Sequence, residues 1–378
     1  MYQREILNSL NKWLESKEII VLFGARQVGK STLLEIMASQ NLKMMILNCE
    51  NPIIADILQS KDLNRISNLF ENNKIIALDE AQVIPEIGSI LKLLFDSKNI
   101  SQKVIATGSS SFELANKTGE PLTGRNVKFK LLPLSIREIC SKKGWLGTLE
   151  ILNDLLVYGS YPGIIDLPVE EKKKKLIEMS GDYLFKDIYK LEQVRGPDVL
   201  RKLVKAIALQ VGNMVSVPEL ASLTGVSVIT VERYLDLLEK SFVIFKLGSY
   251  SNNLRNELKK SRKYYFYDNG IRNAVLNNFV QVDERTDIGA LWENYCVAEY
   301  LKKNMANETY SNLYFWRTYD GAEIDLLEER DGKLFAFEFK WNPSRKASIP
   351  QSLNDTYSIE KFEVVNRQNV DYFLSKNH

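Results

Sequence analysis

From residue 24 the chain reads Gly24-Ala25-Arg26-Gln27-Val28-Gly29-Lys30-Ser31, followed by Thr32, and its flanks restrict what can be built around it. Ile6, Leu7, Leu10, Trp13 and Leu14 recur at helical spacing, Ile19, Ile20, Val21, Leu22 and Phe23 then make a short β-rich run that ends at Gly24, and a helix follows the loop. A strand, a glycine-containing loop and a helix in that order let the backbone curl so that its N–H groups and the helix N-terminus face an anion. In that frame Gly24 to Thr32 cradle a chain of phosphates. Lys30 reaches the outer phosphate oxygens, Ser31 offers a hydroxyl to Mg²⁺, and Arg26 points outward because the loop's phosphate contacts are mainly backbone.

A second segment completes such a site. Ile75, Ile76, Ala77 and Leu78 run into Asp79 and Glu80, the pattern of a buried strand ending in two carboxylates. Asp79 is expected to hold Mg²⁺ through water, and Glu80 to orient and polarise the water that attacks the phosphate. The two segments together imply ATP binding and hydrolysis. The apolar stretch before Thr107 and Ser109 has the same form, so one of these hydroxyls either senses the γ-phosphate or caps a loop. Arg125 is the candidate cation for the transition state, acting within the chain or from a neighbouring subunit of a homo-oligomer, with a plain surface arginine as the alternative.

Buried-type strands at 43–47, 75–78 and 103–106 alternate with helical stretches such as 87–95, which predicts a parallel sheet covered by helices on both faces. This unit ends near Pro133-Leu134-Ser135. Residues 150–200 read as helical, and the charge run Glu170-Glu171-Lys172-Lys173-Lys174-Lys175 reads as a solvated face. Ser216-Val217-Pro218-Glu219 opens a helix, Gly225-Val226-Ser227 separates it from a second helix reaching Lys240, and 242–247 with 263–267 can pair as a hairpin. That is the outline of a winged helix. Its second helix carries Arg233 and Lys240 against Glu232, Asp236 and Glu239, a poor balance for phosphate, whereas Arg255, Lys259, Lys260, Arg262 and Lys263 cluster in the wing. The wing therefore points to DNA, and the acidic helix to a protein partner.

Composition limits the remaining chemistry. Fifty basic and forty-eight acidic residues leave a net charge of +2, so any nucleic-acid contact rests on local patches. Cys49, Cys140 and Cys296 are far apart, which argues against a zinc site or a disulfide framework, and the only histidine is His378. No run approaches the roughly eighteen apolar residues of a membrane span, so a cytoplasmic protein without membrane contact is expected.

Strands are expected at 313–318, 322–328 and 333–340, with turns at Asp320-Gly321 and Asp331-Gly332. Period two places Phe335, Phe337 and Phe339 opposite Glu338 and Lys340, and Ile324 and Leu326 opposite Glu323 and Asp325. Asp325, Glu338 and Lys340 then share a side. Metal-dependent phosphodiesterases use such a set, with carboxylates on the ion and a lysine at the nucleophile; the alternative is the polar outer face of a hairpin.

Across nearly its whole length the chain resembles a family of prokaryotic AAA-type ATPases. The resemblance is carried by Gly24 to Ser31, Leu78-Asp79-Glu80-Ala81-Gln82, Ala106-Thr107-Gly108-Ser109-Ser110, Gly124-Arg125, Pro133-Leu134-Ser135 and Gly159-Ser160-Tyr161-Pro162. It continues in Tyr267-Asp268-Asn269-Gly270, Trp292-Glu293-Asn294, Glu323-Ile324-Asp325 and Glu338-Phe339-Lys340. It implies an α/β P-loop ATPase domain at 1–145, a helical linker at 146–197, a winged helix at 198–280 and a restriction-endonuclease-like α/β domain at 281–378. Glu293 matches that nuclease pattern's helix acid, a third metal ligand beside Asp325 and Glu338. The pattern's usual proline-aspartate is absent, since Glu323-Ile324 precedes Asp325.

Overall fold

Strands β1 (Ile19–Phe23), β2 (Met44–Asn48), β3 (Ile75–Asp79), β4 (Lys103–Gly108) and β5 (Asn126–Lys130) form an all-parallel sheet in the order β2-β3-β4-β1-β5. The computed structural model describes residues 1–41, 43–109, 122–183, 197–251 and 262–375. β1 and β4 are buried at every residue, as strands covered on both faces must be. β5, which the sequence reading did not anticipate, is an edge strand with Lys128 and Lys130 exposed. Because β1, β3 and β4 are adjacent and parallel, their carboxyl ends converge: Leu22 lies beside Thr107, and Leu78 beside Ala106.

The next unit has helices Pro197–Leu209, Val217–Thr224 and Val228–Lys240 with strands β6 (Met214–Val215), β7 (Ile244–Ser249) and β8 (Arg262–Phe266). Ser216 and Ser227 cap the second and third helices, accepting N–H bonds from Glu219 and Thr230. β8 pairs antiparallel with both β7 and β6, so the expected hairpin is present. It does not end there. β7 also pairs in parallel with β9 (Asn312–Arg317), and the ladder runs on through β10 (Glu323–Arg330), β11 (Lys333–Phe339) and β12 (Ile359–Val365). The units expected at 198–280 and 281–378 thus share one seven-stranded mixed sheet, β12-β11-β10-β9-β7-β8-β6.

Phe335, Phe337 and Phe339 join one large apolar core that runs from Tyr2 to Leu374 through both sheets. Leu334 and Ala336 face a smaller cluster under Leu353. On β10 the expected alternation fails. Ile324 and Leu327 enter the small cluster while Leu326 enters the large core, because the register with β9 shifts between Ile324 and Leu327, and such an irregularity moves the following residues to opposite faces. Among the described residues no helix is long and apolar enough to cross a membrane.

Candidate functional site

The loop after β1 owes its shape to two glycines. A Cβ on Gly24 would lie 2.3 Å from the carbonyl oxygen of Leu131, and Gly29 has φ 95°, where side chains are strained. Gly29 is also the N-cap of helix Lys30–Gln40 and no side chain caps that helix, so its first N–H groups are left for an anion. Gln27 shares the left-handed region at φ 62° and is exposed; Ala25 and Arg26 are half-buried and Val28 is buried. The Lys30 amine, itself buried, donates to the carbonyls of Gly24 and Ala25 at 3.1 and 3.0 Å, beside the loop it would share with phosphate oxygens.

Across the sheet, Ser31 Oγ donates to Asp79 Oδ2 at 2.7 Å, and Thr107 Oγ1 donates to Asp79 Oδ1 at 2.5 Å while accepting the Glu80 N–H at 3.1 Å. Thr107 is completely buried and its hydroxyl is spent on these contacts. Thr107, one of the two expected γ-phosphate sensors, here orients Asp79 and the Glu80 backbone. Glu80 has φ 53°, a left-handed conformation that costs a non-glycine residue about 1–3 kcal/mol and is kept where neighbours fix it. Burial, and then the charges of Asp79 and Glu80, push the nearby Cys49 thiol up to about 12, so it stays protonated at neutral pH.

Lys30, Ser31, Thr32 and Glu80 line one cavity of about 510 Å³, a size suited to a small ligand. The donor set fits a magnesium nucleotide: backbone N–H groups and Lys30 for phosphates, and the hard oxygens of Ser31 and Asp79 for the ion. Sequence reasoning missed the cavity's far wall, made by Tyr2, Arg4, Lys142, Pro162 and Asp166. Arg4 donates to the Val28 carbonyl at 2.8 Å, the Leu132 carbonyl at 2.6 Å and Glu138 Oε1 at 3.0 Å, tying the N-terminal segment to the loop. Tyr2 donates to Asp166 at 2.9 Å. Against burial, which raises it, the Lys143 and Lys142 ammonium groups and this hydroxyl hold the Asp166 carboxyl down at about 2.

Arg125 does not join this site within the chain. Its carbonyl accepts the Ile19 N–H, at the amino end of β1 and so at the opposite end of the sheet from Gly24, and its guanidinium grips Asp96 at 2.9 and 3.2 Å.

The C-terminal acids gather, but around lysines. Lys263 on β8 is buried between Glu293, at 3.1 Å, and Glu323; Lys340 lies 2.5 Å from Glu338 and 3.8 Å from Asp325. Tyr265 donates to Glu293 at 2.7 Å, and the Phe339 N–H donates to Asp325 at 2.8 Å. Among the described residues no group of three or more Asp, Glu, His or Cys side chains is arranged to hold a metal ion. Glu293, Asp325 and Glu338 sit in an ammonium–carboxylate network in which Lys340 pairs with Glu338 and Asp325 and Lys263 with Glu293. Burial, reinforced by the Asp325 charge, pushes Glu293 and Glu338 each up to about 7. Burial opposes the charge on Lys263, yet Glu293, Glu323 and Asp325 hold its pKa above the ordinary lysine value.

This placement also removes Lys263 from the expected wing patch. Arg262 is half-buried, and Arg255, Lys259 and Lys260 lie outside the described residues, as do Ser110 and His378.

The parallel sheet and the glycine loop before helix Lys30–Gln40 give the first unit the fold and site geometry of a P-loop ATPase domain. The AAA domain family matches residues 16–140, while 149–281 and 288–378 match two families described as domains of unknown function, DUF8612 and DUF4143. An uncharacterized protein of Mycobacterium tuberculosis is 27% identical over 358 residues, which cover 93% of this chain and 77% of that protein. An uncharacterized protein of Haemophilus influenzae is 26% identical over 382 residues, covering 95% and 90%. The structure of a Walker-type ATPase of Pyrococcus abyssi is 18% identical, covers 73% of this chain and 96% of its own, and superposes with a TM-score of 0.51, a likeness of fold.

Proposed function

We propose that this chain is a Mg²⁺-dependent ATP hydrolase that acts on DNA through the helix–hairpin unit at 197–266, with the C-terminal carboxylate cluster serving as a closed, nuclease-like shell. The observation that carries the hydrolase reading is the convergence of an uncapped helix N-terminus, Lys30, the Ser31–Asp79 pair and Glu80 on one cavity. Bound MgATP would supply the transferable phosphoryl group and its charge neutralisation. Lys30 holds the outer phosphate oxygens, Ser31 and Asp79 seat the ion, and Glu80 takes the proton of the attacking water. DNA is favoured by the order helix, β6, helix, helix, β7, β8, which is that of a winged helix.

The test compares two variants. Lys30→Ala loses tight ATP binding, whereas Glu80→Gln keeps binding and hydrolyses on the order of 10²-fold or more slowly. Normal hydrolysis by Glu80→Gln overturns the role of Glu80.

A nucleotide switch that docks a protein partner is the second reading. It is favoured by Val228 and Ile229, which stand exposed beside Glu232 and Asp236 on the third helix of the unit. Affinity for generic duplex DNA that falls steeply between low and moderate salt supports the DNA reading, since phosphate contacts release counterions. Absence of binding at low salt moves the conclusion to the protein partner.

A further inference from the structure

We infer that Gln82 is the positioning residue for Glu80, holding its carboxylate toward the phosphate cavity; the inference rests on the hydrolase reading of that site. Glu80 leaves β3 in a left-handed conformation and opens the 3₁₀ turn Ala81–Val83, closed by the bond from Val83 N–H to the Glu80 carbonyl at 3.1 Å. This turn brings the side chain of the residue two positions later back over Glu80. The Gln82 amide nitrogen donates to Glu80 Oε2, while Thr107 holds the Glu80 backbone N–H from β4. Backbone and carboxylate are thus fixed from two directions, and Glu80 itself lines the cavity with Lys30 and Ser31.

The amide's orientation follows from the same contact. An ionised carboxylate only accepts hydrogen bonds, so the NH₂ group must face Glu80 and the oxygen must face away. Gln82 Oε1 is buried there with no hydrogen-bond partner among the described residues. A glutamine serving only to fill space would gain by being a leucine or methionine, which leaves no buried acceptor unsatisfied. The N–H group is the end of the amide that meets the Glu80 carboxylate.

Single-turnover hydrolysis and ATP affinity separate the roles. Gln82→Leu, which keeps the volume and removes the donor, should lower kcat by roughly 10- to 100-fold, the loss that follows misplacing a reacting group, with KM and the Kd for a non-hydrolysable ATP analogue within about twofold. Gln82→Glu places a like charge against Glu80 and should lose at least as much. With Glu80→Gln as background there is no carboxylate to aim, so adding Gln82→Leu should change the residual rate less than about twofold. Wild-type kcat in Gln82→Leu, an equal rise in KM, or the same fold loss with and without the Glu80 carboxylate overturns the inference. If Gln82→Leu does not fold, Gln82→Met makes the same measurement. Full hydrolysis by Glu80→Gln alone defeats the catalytic role of Glu80 and takes this inference with it, whereas a dead Glu80→Gln beside an active Gln82→Leu defeats only the role of Gln82.

Discussion

A single buried hydroxyl, that of Thr107, joins the two acids at the end of β3, bonding one Asp79 oxygen and the Glu80 N–H. Thr107→Val keeps the shape and removes both bonds, which leaves a buried N–H and a carboxylate oxygen short of a partner at a cost of about 1–3 kcal/mol. Denaturant unfolding should register that loss, and the Mg²⁺ concentration needed for half-maximal turnover should rise; an unchanged midpoint and Mg²⁺ requirement would remove Thr107 from the site's framework. Arg125 supplies the contrast. Held on Asp96 at the far end of the sheet, it is expected to leave turnover of the isolated chain unchanged in Arg125→Ala. A loss at dilutions where only monomer is present would contradict that placement. Glu293 and Glu338 each contribute a pH dependence to stability. Their folded pKa values, about 7, exceed the ordinary value of 4.5, so between those limits the folded state binds more protons than the unfolded one. The stabilisation they contribute is full below about pH 4.5 and is lost as pH rises through 7. Glu338→Gln should flatten the fall in melting temperature over that window relative to wild type; an identical profile would show that the carboxyl is not perturbed.

At the scale of elements, what could be read from the sequence was what depends on neighbours in the chain. The strand, loop and helix around Gly24 to Thr32, the acid pair after Leu78 and the caps Ser216 and Ser227 rest on spacings of a few residues, and the elements form there. β5 carried a legible signal, Val127 and Phe129 alternating with Lys128 and Lys130, but the strand is short and lies at an edge. The face assignments on β10 failed because period two presumes an uninterrupted ladder, and the bulge beside Asp325 is set by pairing with β9. Five cations near residue 260 looked like one patch, yet adjacent residues of a strand point to opposite faces, so Lys263 turns inward with Tyr265 while Arg262 does not. That inward turn has an energetic consequence. Lys263→Met removes the ammonium between Glu293 and Glu323 and leaves both acids without it, which should cost about 3–5 kcal/mol, while Arg262→Met should cost less than about 1 kcal/mol. Comparable losses for the two variants would mean that Lys263 is not the buried partner of these acids.

For the molecule as a whole, the nucleotide cavity and the C-terminal helix Ile288–Ala306 meet at one buried junction. Leu134 and Pro162 line the cavity, and the residues beside them are held from that helix and from the Asp268 loop. Lys302 donates to the Leu134 carbonyl at 3.1 Å, to Glu299 at 2.7 Å and to Ser160 Oγ at 3.4 Å; Glu299 accepts the Ile136 N–H at 2.7 Å, and Asp268 accepts the Ser160 N–H at 2.7 Å. All three family regions therefore contribute to a single set of bonds, inside a core that is continuous through both sheets. A ligand that stiffens the cavity walls stiffens these bonds too, because Leu134 belongs to both. Hydrogen exchange at the Ile136 and Ser160 amides should slow when the protein binds a non-hydrolysable ATP analogue with Mg²⁺, as opening of the junction becomes rarer in the bound state. Lys302→Met should remove most of that slowing while changing analogue affinity by less than about threefold, since Lys302 bonds the back of the wall and not the phosphate loop. Protection confined to residues 24–32 in the wild-type protein, or unchanged protection at Ile136 and Ser160 in Lys302→Met, would show that the nucleotide does not act through this junction.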